Sequence, residues 1–208
     1  MGHRVCPWWL GYFLISPLRR LQVNPGRLLS PFIREGMTVL EPGPGMGFFT
    51  IPLARLVGSK GRVAAVDVQP KMIRKLKRRV AKAGLEPRVD ARLVAADSMG
   101  ISDLRGAVDF ILAFAVVHEM SSPRSFFAEA AAACKSGARL LLVEPAGHVR
   151  NEEFEAELRD AAQAGFELLE RPHIRRTQAA LLQRADRFAI KRPASGTSPR
   201  WIKADEHE

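Results

Sequence analysis

Short apolar runs alternate along this chain with longer stretches in which apolar residues recur at helical spacing. Met37-Thr38-Val39-Leu40, Val63-Ala64-Ala65-Val66, Arg88 to Ala95, Asp109 to Phe114 and Arg139 to Glu144 read as strands. Between them the helical pattern holds from Phe48 to about Val57, and from Pro70 to Gly84 with Ile73, Leu76 and Val80 as a buried stripe. It returns after Ser122-Pro123, a cap and first-turn proline, with Phe126, Phe127, Ala130, Ala131 and Cys134 as apolar surface and Gly137 as its end. A further helix is predicted from a cap at Asn151 to Gly165, burying Phe154, Leu158, Ala161 and Ala162. Phe166 to Glu170 and Ala179 to Gln183 read as two last strands. Strand and helix in alternation predict an α/β protein with a mainly parallel sheet.

The ends are different. Pro7 and Pro17 bracket a short predicted helix with Trp9, Tyr12 and Phe13 on one face, and Asn24-Pro25 starts a second that Pro31 shortens or kinks. The apolar run Cys6 to Ser16 is shorter than the roughly 20 residues a membrane span needs, and no small-residue cleavage site follows it. No targeting signal is read. From Lys191 the chain is rich in proline, glycine and charge, and a mobile tail is expected over 191–208.

Between the first strand and the first helix lies Glu41-Pro42-Gly43-Pro44-Gly45-Met46-Gly47. Glycines let a loop turn tightly and let a ligand approach backbone without a Cβ in the way. A loop that opens a helix offers free N–H groups to an anion. A dinucleotide fingerprint spaces its last glycine one residue later, and Glu41 at the loop entrance would repel a pyrophosphate. The acid suits a cationic ligand better; a merely tight turn is the plain alternative. At this loop the chain resembles the class I S-adenosylmethionine (SAM)-dependent methyltransferases, whose first motif is acid-x-G-x-G-x-G. The order of later motifs, over about residues 37–187, is similar to the broad group acting on small molecules (the methyltransferase type 11-like domain).

The resemblance implies a Rossmann-like, seven-stranded, mostly parallel sheet with helices on both faces and an antiparallel last strand, plus an N-terminal helical extension. It divides the chain into a cap or lid (1–36), a SAM-binding domain (37–190) and the tail. Glu41, Gly43, Pro44, Gly45 and Gly47 would then hold the cofactor, with Asp67, at the end of the second strand, accepting from both ribose hydroxyls. Val68 and Met72 stand where adenine would lie, or in the core. Asp97, with Ser98, stands where an acid often bonds the adenine amino group, although both residues also favour turns. Phe114, and the aromatics from Trp8 to Phe13, are placed to hold a sulfonium or an apolar acceptor. Acceptor-side candidates are His118, Glu119 and His148, with Glu144 beside them: imidazole titrates near neutrality, and carboxylates can serve as bases when desolvated. His118 can equally fix its loop, and His148 its helix start. The N-terminal aromatics can be a lid, plain packing, or a peripheral membrane contact flanked by Arg4, Arg19 and Arg20.

Composition narrows this only a little. A hydrophobic fraction of 47% with 26% charged residues excludes a disordered chain, and two cysteines make neither a disulfide framework nor a cysteine zinc site, so no metal is expected and a cytoplasmic location fits. The net charge of +10 favours acidic partners. Lys71, Arg74, Lys75, Lys77, Arg78, Arg79 and Lys82 share one predicted helix with no acid, either a solvated face or a footprint for an anionic partner. Ala113-Phe114-Ala115-Val116 lacks the N-P-P-Y-like motif of base-amino methyltransferases, and the Pro-Cys pair of cytosine-C5 enzymes is missing. The reading is therefore an enzyme that moves a methyl group from SAM, leaving S-adenosylhomocysteine, to a small apolar acceptor by in-line displacement. An RNA methyltransferase and a non-catalytic SAM-binding protein are the alternatives.

Overall fold

The computed structural model describes residues 24–185. The predicted helix between Pro7 and Pro17, its aromatic face, most of the lid segment and the 191–208 tail lie outside the described residues.

Seven strands form one sheet: β1 (Thr38–Pro42), β2 (Arg62–Asp67), β3 (Val89–Leu93), β4 (Val108–Phe114), β5 (Cys134–Pro145), β6 (Phe166–Glu170) and β7 (Thr177–Arg184). Their order is β3-β2-β1-β4-β5-β7-β6, with β7 antiparallel to both neighbours and the other pairs parallel. The expected Rossmann-like architecture is present. The strand order reverses between β1 and β4, and in open α/β sheets such a point opens a crevice beyond the carboxyl ends.

Alternation along β4 explains the two layers. Phe110 and Leu112 face one core with Leu29, Leu53, Ile73, Leu76 and Val80, carried by α1 (Pro25–Leu29), α2 (Thr50–Leu56) and α3 (Pro70–Lys82). Ile111 and Ala113 face the other with Phe126, Phe127 and Phe154, from α4 (Pro123–Ala133) and α5 (Asn151–Gln163). Both faces are buried, so the central strands read as continuous apolar runs rather than alternating ones. Asn24 and Ser122 cap their helices as expected, accepting from the N–H groups of Arg27 and Ser125 at 3.1 Å each. Among the described residues no helix is long and apolar enough to cross a membrane.

Several boundaries differ from the sequence expectation: β5 starts at Cys134 rather than Arg139 and β7 at Thr177 rather than Ala179. α4 ends at Ala133, not Gly137, because Cys134 already pairs with Val108; Gly137, at φ 73°, is a kink inside β5. α2 starts at Thr50, since Phe48 and Phe49 remain in the turn, where Phe49 packs its ring 4.6 Å from that of Phe114. β3 is trimmed to Val89–Leu93 at the sheet edge. The cap of α5 is Arg150, whose N–H donates to the Glu153 carboxylate at 2.9 Å, and Asn151 is the first helical residue; Ala162 is exposed rather than buried.

Candidate functional site

The glycine loop leaves β1 at the sheet reversal and passes under the turn that follows β4. Gly43 has φ 65°, and its N–H donates to the Val66 carbonyl at 2.9 Å. A Cβ there would meet Val116 Cγ2 at 2.5 Å, so backbone and the β4 turn touch directly. Gly45 is also left-handed, φ 54°, yet a Cβ on it would meet nothing within 4 Å. That glycine therefore borders open space. The Gly47 N–H closes the loop onto the Pro44 carbonyl at 2.9 Å.

Beside the loop lies a cavity of about 380 Å³ at the carboxyl ends of β1, β2 and β4. Pro42 and Gly43 form its floor, and Asp67, Asp97, Ser98 and Glu119 supply polar edges. Val68, Val94, Met99, Val116, Met120 and Phe126 give it an apolar wall. Of the residues singled out in the sequence, Gly43, Asp67, Val68, Asp97, Ser98 and Glu119 meet here. Glu41, Pro44, Gly45, Gly47, Met72, Phe114, His118 and His148 do not line the cavity. Met72 is buried on α3, and Phe114 packs behind the loop against Phe49.

Glu129 was missed. It projects from α4 into the cavity wall and accepts from the Met99 N–H at 3.0 Å and the Ser98 hydroxyl at 3.2 Å. It therefore holds the loop after β3 in place. Its signal was present: it is the lone acid in the otherwise small and aromatic α4 sequence PRSFFAEAAAA.

Two acids beside the glycine loop are held out of water. Asp67 is 8% exposed, and burial pushes its carboxyl up to about 6, opposed by amide hydrogen bonds, that of Gln69 at 2.8 Å foremost. Glu41 is buried beneath the loop and pushed up to about 8 by desolvation, with the neighbouring Thr50 side chain acting the other way and the Asp67 charge adding to the rise. Its Oε2 has no hydrogen-bond partner.

On the far side of the β4 turn, the 3-10 turn Val117–Glu119 carries His118. Its Nδ1 lies 2.5 Å from Oε2 of Glu144, a fully buried β5 carboxylate. The other oxygen of Glu144 accepts from the Val117 and His118 N–H groups at 2.8 and 3.3 Å. The hydrogen bond to Glu144 raises the His118 pKa above its ordinary range against the opposing pull of desolvation. The His148 ring stands 6.4 Å away, centroid to centroid. Among the described residues no group of three His, Cys, Asp or Glu side chains could hold a metal ion.

The sequence profile of the methyltransferase domain family matches residues 33–185. No curated protein matches the chain. Among solved structures, a SAM-dependent methyltransferase from Aquifex aeolicus is 27% identical with a TM-score of 0.76, over 87% of this chain and 100% of that one. A candidate rRNA methylase from Clostridium thermocellum is 21% identical (TM-score 0.63; 78% and 94% covered). A SAM-dependent O-methyltransferase from Thermotoga maritima is 19% identical (TM-score 0.62; 79% and 66% covered). These last two share the fold alone, so the acceptor is argued from the site. With its glycine loop, its reversed strand order and the profile match over nearly the whole described region, the chain belongs to the methyltransferase domain family, of the class I architecture.

Proposed function

We propose that the chain binds SAM at the carboxyl edge of the sheet and transfers its methyl group to a small, apolar acceptor. The observation that carries this reading is Asp67: a buried acid at the end of β2, opening into a cavity whose other wall is apolar. A carboxylate there can accept from two adjacent hydroxyls of a ribose, and the apolar wall suits a flat base. The Aquifex aeolicus relative is itself SAM dependent, which supports the same cofactor here.

The residues fit the group. The unobstructed side of Gly45 leaves room for a ligand against backbone, and the unpartnered Oε2 of Glu41 is an acid awaiting a donor. Asp67 would hold the ribose, and Asp97 with Ser98 the adenine edge, with Val68 on the apolar wall beside it; Met72 is buried on α3 away from the cavity. The loop Gly43, Pro44, Gly45 and Gly47 would face the amino-acid end, with Glu41 beneath it and Phe114 behind it. When bound, SAM supplies a methyl carbon already activated for displacement by its sulfonium. The protein's part is to orient the acceptor, exclude water and move a proton. His118, Glu119 and His148 are the residues proposed for that proton, Glu119 on the cavity and the two histidines behind it.

A second reading, RNA as acceptor, draws support from the cationic surface of α3, where Arg74, Lys77, Arg78 and Lys82 are exposed. The proposed location is cytoplasmic, and a peripheral membrane contact through the N-terminus belongs to the same set of proposals.

Calorimetry with S-adenosylhomocysteine tests the cofactor. Asp67→Ala should weaken binding about ten- to hundredfold, the loss of hydrogen bonds to a charged group. Unchanged affinity, or preferential binding of a nicotinamide dinucleotide, overturns the assignment. Tight binding with no methyl transfer to any small molecule or RNA would favour a non-catalytic SAM-binding protein.

A further inference from the structure

We propose that Glu144 is a positioning residue that holds His118 with its Nε2 ready to take a proton, so that the acceptor is a weakly acidic hydroxyl, phenol or enol, rather than a thioether or tertiary amine. This rests on the methyl-transfer reading above and names its acceptor class.

The geometry is built from three elements. Glu144 is fully buried at the end of β5 and cannot swing, because one of its oxygens is held by two amides of the turn after β4. The other oxygen takes Nδ1–H of His118 at 2.5 Å. A carboxylate has no proton to donate, so in the neutral imidazole the hydrogen sits on Nδ1 and the lone pair on Nε2. Nε2 points toward Glu119, 4.0 Å from its Oε1, and Glu119 lines the cavity. The His118 side chain is 23% exposed, enough to exchange its proton with water.

The Glu144 hydrogen bond and the nearby carboxylates favour a proton on this ring, against the opposing effect of burial. Glu144 faces it from β5, Glu119 from its own turn and Glu157 from α5, with His148 from the loop after β5. Glu157 is 5% exposed and its Oε2 has no partner; burial, then the charge of Glu144, pushes it up to about 8. Glu157 therefore holds its proton far more readily than an exposed acid would.

The step balances. The acceptor O–H bond breaks and its proton goes to Nε2, while an oxygen lone pair forms the bond to the methyl carbon. The carbon–sulfur bond breaks with its electrons kept by sulfur, giving a methyl ether and the neutral thioether S-adenosylhomocysteine. The positive charge passes from sulfonium to imidazolium, which Glu144 stabilises. The proton then leaves to water. Thioethers and tertiary amines have no proton to give, and for them this pair would be idle.

Imidazole ¹⁵N spectra of the full chain, with His118 identified by His118→Asn, test the arrangement without any cofactor. The neutral ring should carry its hydrogen on Nδ1 and titrate above 6.5. Glu144→Gln keeps an oxygen for the turn amides but removes the charge, and should lower that titration toward the ordinary histidine value. A hydrogen on Nε2, or a titration that Glu144→Gln leaves in place, overturns the proposal. With labelled SAM and a panel of simple phenols, Glu144→Gln should lower kcat at least tenfold, with KM and the affinity for S-adenosylhomocysteine little changed. Transfer to dimethyl sulfide but to no phenol overturns the acceptor class. A wild-type chain that fails to bind S-adenosylhomocysteine sinks the parent reading instead, and leaves the tautomer result standing.

Discussion

Two glycines of one motif do different work, and substitution should separate them. Gly43 needs its left-handed backbone and also has Val116 at 2.5 Å from where a Cβ would stand. Gly43→Ala should therefore cost about 1 kcal/mol for the backbone and a further 1–3 kcal/mol or so for overpacking. Gly45→Ala pays only the backbone cost of about 1 kcal/mol, because its Cβ meets nothing. That Cβ would instead enter the open side where the proposed ligand would lie against backbone, so on that reading S-adenosylhomocysteine should bind more weakly while the fold holds. Denaturant midpoints and calorimetry on the pair check both halves; equal losses of stability would refute the packing argument. The motif's spacing was legible in the sequence, but the partner of Gly43 was not. Val116 lies far along the chain, and only the pairing of β1 with β4 brings it against the loop. Glu157 escaped for the same kind of reason: a helix acid reads as solvated until the sheet edge it faces is known.

Elements were more legible than their ends. Apolar runs, proline starts and cap residues located every strand and α-helix of the described region, because these signals act within a few residues. The misjudged ends were decided by tertiary pairing. Gly137 carries a helix-stop signal, yet the Val108 pairing draws Cys134 into β5 before that signal applies. Buried there, the Cys134 thiol is pushed up to about 12 by desolvation and should resist alkylation at pH 8 in the native chain, as peptide mapping can test. The basic helix α3 was legible as charge but not as function. Arg79 turns inward and donates to the Met46 carbonyl, tying the helix to the glycine loop, so it is no part of an outward footprint. Lys77 and Arg78 are exposed and are the pair to replace. If α3 tracks a single-stranded RNA, changing both to Gln should reduce the slope of log K against log salt by about 1.4, two contacts at roughly 0.7 each. An unchanged slope makes α3 a solvated face and removes the support for RNA.

At the scale of the whole molecule, the buried acids set how stability depends on pH. Glu41 and Glu157 are pushed up to about 8 and Asp67 to about 6, while the His118 pKa is raised as well. Each of these groups binds its proton more tightly folded than unfolded. Their stabilisation is complete below the unfolded pKa values and is lost as pH rises through the folded ones. Asp90, Asp103, Glu153 and Glu155 are shifted the opposite way by arginine partners, so their contribution is present above the ordinary carboxylate range and fades below it. Stability should therefore climb as pH falls from about 8.5 toward 5, and decline again below about 4. Glu157→Gln removes one buried titration while keeping the shape of the side chain. Its melting temperature should exceed that of the parent at pH 8.5 and vary less between pH 8.5 and 5. Binding adds a second sign: donors brought to Asp67 and Glu41 favour their charged forms, so S-adenosylhomocysteine should release protons and bind more tightly as pH rises through 6. Calorimetry in buffers of different ionisation heat counts those protons. Proton uptake, or affinity that falls across that range, would mean that the two acids do not face the ligand.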